Sequence, residues 1–134
     1  HCEVAIPNWD VPLHCVCVHL ALTARGRSRQ IERLRQRIER VVPAHAPLIV
    51  AGDFNDWHWR HRATHELAHP LNMQEVFELM RGLPARSFPA MLPFFRLDRI
   101  YVRGFRVSRA HVHHGPMWGR ISDHAALTTT LERL

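Results

Sequence analysis

The sequence contains no lysine, a single tyrosine and no long hydrophobic run. A membrane-spanning helix needs roughly 20 consecutive apolar residues, so the sequence predicts no transmembrane segment, and nothing at its start resembles a signal peptide. Cysteine is scarce too: Cys2, Cys15 and Cys17 are odd in number and lack the spacing of a zinc site. This usage favours a reducing, cytoplasmic setting. Because the chain begins at His1, inside a predicted strand, we expect an upstream portion.

The basic residues are all arginine, and these 18 residues outnumber the 12 acidic ones to give a formal net charge of +6. A guanidinium group is planar and matches phosphate oxygens, which suits an anionic, phosphate-bearing partner. GC-rich codon usage produces the same preference for arginine over lysine. Charge alone therefore does not separate a functional surface from a compositional bias.

The 134 residues, 46% of them hydrophobic, fit a single domain with one core. Alternating apolar residues and turn formers predict several strands. These lie at residues 2–6, 13–20, 97–102, 105–113 and 125–131 and in the apolar run that begins at Leu48. Cys15 and Cys17 alternate with valines, so we expect both on one face of their strand as small apolar residues.

Two amphipathic helices are predicted between the strands. The first has Ser28 as its N-cap and extends for about 15 residues with apolar side chains at helical spacing. The second starts after Asn72, turns Met73, Val76, Phe77 and Met80 inward, and ends at Gly82. A strand, a helix and a strand in this order predict that residues 13–20 and the strand at Leu48 share one sheet.

The most informative stretch runs from Leu48 to Asp56, where a short apolar run changes abruptly into polar residues. The run fits a buried strand, and Gly52 lets the backbone turn so that Asp53 and Asn55 emerge at its carboxyl end. Open α/β sheets place ligands there. Asp53 to Asp56 would equally serve as turn residues that close a strand.

Other polar residues share this position at predicted strand ends: His19, Asp98, Asp123 and His124. Each has a structural explanation of its own, such as an ion pair between Asp98 and Arg99. Their joint occurrence favours a catalytic site at one edge of the sheet.

Four blocks of the sequence resemble, in order and spacing, the signature blocks of the endonuclease/exonuclease/phosphatase superfamily. They are His19-Leu20, Gly52-Asp53-Phe54-Asn55, Leu97-Asp98-Arg99-Ile100-Tyr101 and Ser122-Asp123-His124. The resemblance implies an α/β (α+β) protein with the DNase I-like four-layer αββα sandwich. It also implies metal-dependent hydrolysis of phosphoesters or phosphodiesters, as in nucleases and phosphatases.

Carried over residue by residue, the resemblance implies a role for each site residue. His124 would stabilise the scissile phosphate, and Asp98 would orient the His124 ring. Asp53 would activate the attacking water and Asn55 would fix that water or a phosphate oxygen. His19 would be a further phosphate-side histidine. Asp53, Asn55 and Asp123 would be the residues that hold Mg²⁺ or Mn²⁺.

The sequence departs from the superfamily in one respect. The family uses an asparagine and a metal-binding glutamate in its N-terminal half, and no block of this chain matches them. Glu3 lacks the expected preceding glutamine, so it is not assigned that role. We therefore expect residues 1–134 to be a single partial domain, the C-terminal half of a protein about twice as long.

Two other readings remain. His58, His61, His65 and His69 are spaced by three and four residues, as zinc ligands on one helix face would be, but four imidazoles on one face cannot all converge on one ion. The arginine-rich segment 25–40 could instead serve a non-catalytic module that binds nucleic acid or phosphate, with Trp57 and Trp59 as stacking platforms. No feature calls for an obligate protein partner.

The substrate is predicted only as a phosphate-containing molecule: a nucleic acid, a nucleotide, an inositol phosphate or a phospholipid headgroup. Specificity is expected in the loops at residues 56–70, 84–95 and 115–119, which carry Trp57, Trp59 and Trp118.

Overall fold

A five-stranded mixed sheet forms the centre of the computed structural model, which describes residues 1–57 and 64–134. Its strands are β1 (Cys2–Val4), β2 (Leu13–His19), β3 (Leu48–Asp53), β4 (Gln74–Glu75) and β5 (Asp98–Arg103), in the order β1-β2-β3-β5-β4. Strands β2 and β3 are parallel, and the other neighbours are antiparallel. The predicted pairing of the strands on either side of the first helix is confirmed.

A second sheet consists of β6 (Phe105–His113) and β7 (Ala126–Arg133), which pair antiparallel. The register shifts between Val107 and Arg109, as a bulge in β6 produces. Both strands were predicted to within two residues, because their alternation of apolar and polar side chains is regular.

Helix α1 (Ala24–Val41) has 18 residues and begins earlier than predicted. Its N-cap is Thr23, whose Oγ1 accepts a hydrogen bond from the Gly26 amide at 3.2 Å. The predicted cap, Ser28, lies inside the helix. The prediction was wrong because the first turn of the helix carries no apolar residue that a periodicity search would detect.

Helix α2 (Val76–Arg81) is capped by Glu75 rather than by the predicted Asn72. Asn72 adopts a left-handed φ of 53° in the turn before β4, and an N-cap needs an extended backbone. Met80, predicted to face inward, is 44% exposed and lies in the last turn of a short helix that starts three residues later than expected. The predicted end at Gly82 is confirmed, with φ of 77° and its amide bonded to the Glu78 carbonyl.

Two apolar clusters hold these layers together. The first lies between α1 and one face of the main sheet and includes Ile31, Ile38, Val16 and Val50. The second lies between the two sheets, with Val102 and Val107 facing each other across it. A fully buried side chain of this size contributes about 1.5–3 kcal/mol, so both clusters matter for folding.

The cysteine prediction holds only in part. Cys15 is half-buried but Cys17 is exposed, and the buried side chains of β2 are His14 and Val16 on the opposite face. The second sheet has only two strands in the described part of the chain, and it leaves Cys17 uncovered.

Irregular segments complete the fold. A π-helical turn spans Thr64–Ala68, and a 3₁₀ turn spans Trp118–Arg120. The predicted loop at residues 84–95 is confirmed, and an isolated bridge joins Phe88 to Phe95 within it. Among the described helices, none is long and apolar enough to span a membrane.

Candidate active site

Strand register places three of the predicted site residues side by side. His19 is the partner of Asp53 in the parallel pair β2–β3, and Asp53 is the partner of Asp98 in the antiparallel pair β3–β5. Strand β3 therefore carries its aspartate between a histidine and a second aspartate. The sequence predicts that each residue ends or starts a strand, and the register brings the three to one edge of the sheet.

Gly52 allows this edge to form. Its φ is 141°, and a Cβ atom at this position would lie 1.9 Å from the Val18 carbonyl oxygen. Only glycine fits a backbone of this kind so close to its neighbour. The close approach of β2 and β3 just before Asp53 therefore depends on Gly52.

His124 is held by Asp98. Its Nδ1 and the Asp98 Oδ2 are 2.8 Å apart, and the two side chains are 27% and 18% exposed. With Nδ1 engaged by the carboxylate, the other ring nitrogen is the one available to a ligand. The two residues come from β5 and from the loop before β7, so the contact joins the two sheets.

The charges around His124 favour its protonated form. Burial by itself lowers the pKa of His124, but the hydrogen bond and charge of Asp98, with the charges of Asp53 and Asp123, outweigh it and raise the pKa above its ordinary value. The imidazole is therefore positioned to meet an anionic group as a cation.

Asp53 and Asn55 form a compact corner beside this pair. The Asp53 Oδ1 accepts a hydrogen bond from the Asn55 amide at 2.8 Å, and its Oδ2 lies 3.6 Å from the His19 Nε2. Asn55 has a left-handed φ of 48°, and its Nδ2 donates to the Leu20 carbonyl at 2.8 Å. The amide nitrogen is thus committed to the end of β2, which fixes the direction of the amide oxygen.

His19 and Asp123 are more open. The His19 side chain is 80% exposed. The Asp123 side chain is exposed too, although its carbonyl accepts a hydrogen bond from the Ala90 amide at 2.7 Å. Asp123 acts on His124 through its charge, and no side-chain hydrogen bond of Asp123 is found among the described residues.

Sequence reasoning missed Ser87, which is completely buried. Its Oγ accepts a hydrogen bond from the Asp98 amide at 3.2 Å, and its carbonyl accepts one from the Ala125 amide at 2.6 Å. Ser87 therefore fixes the backbone on both sides of the pair Asp98 and His124. Nothing in the proline-rich sequence around it marks it, because its burial depends on the bridge between Phe88 and Phe95.

Aromatic side chains border His124 on one side. The Phe88 ring centroid is 5.0 Å from that of His124, and Trp57 packs against Phe88 at 6.0 Å and Phe95 at 5.0 Å. Trp57 is 39% exposed and Phe95 40%. Of the predicted loop tryptophans, Trp57 lies beside the site, Trp118 packs against His113, and Trp59 is outside the described residues.

The donor set was tested against a divalent cation. Asp53 and Asp123 offer carboxylate oxygens and Asn55 an amide oxygen, the kinds of ligand that Mg²⁺ prefers. Among the histidine, cysteine, aspartate and glutamate side chains of the described residues, however, the group of three that is close enough to share an ion is His1, Glu3 and His14, at the opposite end of β2. The residues around Asp53 therefore offer the right type of ligand for a divalent cation but do not form a complete ligand set.

In the described part of the histidine-rich segment, no zinc geometry is found. His58 and His61 lie outside the described residues. His65 and His69 are exposed, with ring centroids 4.9 Å apart. The zinc hypothesis stays a prediction.

A mixed sheet facing a second sheet, with aspartates and a carboxylate-held histidine at one edge, places the chain in the class of α/β proteins with a DNase I-like fold. The chain belongs to the Endonuclease/Exonuclease/phosphatase family, whose sequence profile matches residues 2–124. Members of this family are hydrolases and typically depend on a divalent metal.

Similar proteins agree with this assignment. The uncharacterized protein YbhP of Escherichia coli (strain K12) is 37% identical over 131 residues, covering 98% of this chain and 51% of YbhP. A functionally unknown conserved protein from Enterococcus faecalis V583 superposes with a TM-score of 0.73 at 20% identity, covering 96% of this chain and 53% of its own. The human Nocturnin catalytic domain, solved with a bound sulfate anion, gives 0.70 at 24% identity, covering 88% and 46%. The chain spans about half the length of the curated relatives it matches.

Proposed function

We propose that the protein containing this chain is a metal-dependent hydrolase of phosphodiesters or phosphomonoesters. The observation that supports this most strongly is the register His19, Asp53, Asp98 across three strands, with His124 bonded to Asp98. A binding module would have no use for a partly buried carboxylate that orients a histidine toward the same edge as a second carboxylate.

The proposed roles follow from the contacts. Protonated His124 pairs with a non-bridging phosphate oxygen, and Asp98 keeps its ring oriented and its charge favoured. His19 is a further phosphate-side histidine, since it is exposed beside Asp53. Protonated His124 offsets the negative charge that develops on the phosphoryl oxygens as the water attacks.

Asp53 is the proposed base. It takes a proton from a water molecule while the water oxygen forms a bond to phosphorus and the bond from phosphorus to the leaving oxygen breaks. Asn55 holds the water or a phosphate oxygen through its amide oxygen. Mg²⁺ or Mn²⁺, held in part by Asp53, Asn55 and Asp123 and completed by ligands outside this chain, would neutralise phosphate charge when bound.

The substrate class follows from the aromatic border. Trp57, Phe88 and Phe95 next to His124 suit a substrate with a flat or apolar group beside its phosphate, as in a nucleotide, a nucleic acid or a phospholipid. A cytoplasmic setting also belongs to this proposal, supported by three free cysteines.

The alternative is a binding module built on the arginine-rich helix α1, but some of its arginines are not available to a ligand. The Arg27 side chain is buried and donates to the carbonyls of Ala21 and Leu22. Arg35 is paired with Glu32 and Glu39. The remaining arginines of α1 form an ordinary solvated face, which favours the hydrolase.

The test uses the full-length parent protein and bis-p-nitrophenyl phosphate with Mg²⁺ or Mn²⁺. We expect hydrolysis that Asp53→Ala and His124→Ala each abolish, with circular dichroism unchanged. Glu132→Gln is the control, since Glu132 is paired with Arg106 on the exposed second sheet and should leave turnover intact. Unchanged turnover in both site variants would contradict the proposal that the protein is a hydrolase using this site. Nucleic-acid binding that persists in EDTA and in His124→Ala, without hydrolysis, would favour the binding module.

A further inference from the structure

A cavity of about 430 Å³ lies outside the candidate active site. Four cationic or titratable side chains line it, Arg81, Arg86, Arg96 and His114, and we call it the arginine pocket. Its other walls are apolar, and no aspartate or glutamate is among the described residues that line it. The chain thus gathers three guanidinium groups around one cavity without an acidic side chain in its wall.

Uncharged groups help to orient the arginines. Arg81 donates to the Ala110 carbonyl at 3.0 Å, and Arg96 donates through Nε to the Pro84 carbonyl at 2.9 Å. The Arg86 guanidinium lies 5.7 Å from the centroid of the Phe94 ring. These contacts contribute to the direction of the three guanidinium groups.

Convergence of like charges is unfavourable. Burial first, and then the neighbouring charges of Arg86 and Arg99, lower the pKa of Arg96 below its ordinary value. An oxyanion in the pocket would relieve this repulsion and form forked hydrogen bonds with the guanidinium groups. With more than one guanidinium group in the wall, a phosphate group is a better match than a carboxylate, because it offers more acceptor oxygens.

The arginine pocket shares its wall with the candidate active site. The segment at residues 84–96 supplies Arg86 and Arg96 to the pocket, and between them Ser87 and Phe88 contact Asp98 and His124. An anion in the pocket would therefore lie on the other side of the segment that positions the histidine.

We propose that the arginine pocket is a second phosphate site, distinct from the hydrolytic one. The same chemistry has two possible sources: free phosphate, or a second phosphate group of a substrate bound at His124. The pocket itself does not depend on hydrolysis, and only the second source rests on the proposed function.

The first experiment titrates inorganic phosphate into the full-length parent protein by calorimetry, in EDTA and at constant ionic strength set with chloride. Arg86→Gln should raise Kd at least tenfold. Arg86 is exposed, so this variant should fold, and Arg86→Gln with Arg96→Gln should abolish the binding. The matched control Arg37→Gln removes an exposed arginine from α1 and should leave Kd unchanged.

His124→Ala separates the two sites. Phosphate binding that survives His124→Ala and is lost in Arg86→Gln supports the pocket. Binding of parental affinity in both arginine variants, or complete loss of binding in His124→Ala, would overturn it.

A second experiment distinguishes the sources of the anion. If the pocket holds a second substrate phosphate, Arg86→Gln raises KM for a substrate with two phosphate groups and leaves kcat for bis-p-nitrophenyl phosphate unchanged. If it holds free phosphate, KM is unchanged for both substrates while calorimetry still shows the tenfold loss. A parent without hydrolytic activity that still binds phosphate through Arg86 would refute the proposed function alone.

Discussion

The bond between Asp98 and His124 gives the sharpest test of the proposed chemistry. Asp98→Asn keeps the shape of the side chain and removes its charge. The bond is 2.8 Å long between side chains that are 18% and 27% exposed, so water replaces it poorly. A hydrogen bond to a charged group contributes about 1.5–3 kcal/mol. Since 1.36 kcal/mol corresponds to a tenfold change in rate, we expect kcat to fall roughly 10- to 150-fold.

The same substitution should change the pH dependence. Asp98 raises the pKa of His124 by its hydrogen bond and its charge. In the proposed mechanism the protonated imidazole is active, so activity falls as pH rises through this pKa. Asp98→Asn lowers the pKa, and the falling limb of kcat/KM should therefore move to lower pH.

The assay is a pH profile of kcat/KM for the full-length parent, Asp98→Asn and the control Glu132→Gln, each checked for folding by circular dichroism. The control should follow the parent. A profile for Asp98→Asn with its falling limb unmoved, or a rate loss below threefold, would refute the reasoning that Asp98 acts by charging and orienting His124.

Three further predictions concern stability and assembly. Gly52→Ala should lower the free energy of unfolding, measured by urea denaturation, by about 1–3 kcal/mol or more, because of the positive φ and the contact with the Val18 carbonyl. A smaller loss would show that β2 and β3 can separate there. Burial raises the pKa of Glu75 to about 7. Glu75 therefore contributes most to the free energy of unfolding below its unfolded pKa, and about 3 kcal/mol of that contribution is lost as pH rises through 7. Glu75→Gln removes this titration, so the free energy of unfolding should vary less between pH 5 and pH 8. An equally steep profile would contradict this. The isolated chain should dimerise or aggregate, because β1 leaves a strand edge open; a stable monomer in light scattering would argue against it.

The sequence by itself determined the order and type of the main elements and pointed to the candidate site residues. The strand that starts at Leu48, the strand Phe105–His113 and the end of α2 at Gly82 follow from short-range rules, because alternation and glycine act within a few residues. The family blocks point to the same residues that the structure brings together at one edge of the sheet, His19, Asp53, Asn55, Asp98 and His124.

Helix starts were harder to predict than helix ends. Thr23 caps a helix whose first turn holds no distinctive apolar pattern, and the competing candidate Ser28 is an equally good cap by residue type. Glu75 caps α2 although the competing candidate, Asn72, is the better cap by residue type. The residue that becomes the N-cap depends on where the preceding strand ends, and that depends on tertiary packing.

Only the tertiary structure decided the register and the contacts made across it. Asp53 could be placed between His19 and Asp98 only by the pairing of three strands from distant parts of the chain. The support from Ser87, the aromatic border at Phe88 and the arginine pocket likewise come from a segment without periodicity, folded against two sheets. Such contacts join residues far apart in sequence, so their geometry is carried by the packing of the whole fold and not by any local pattern.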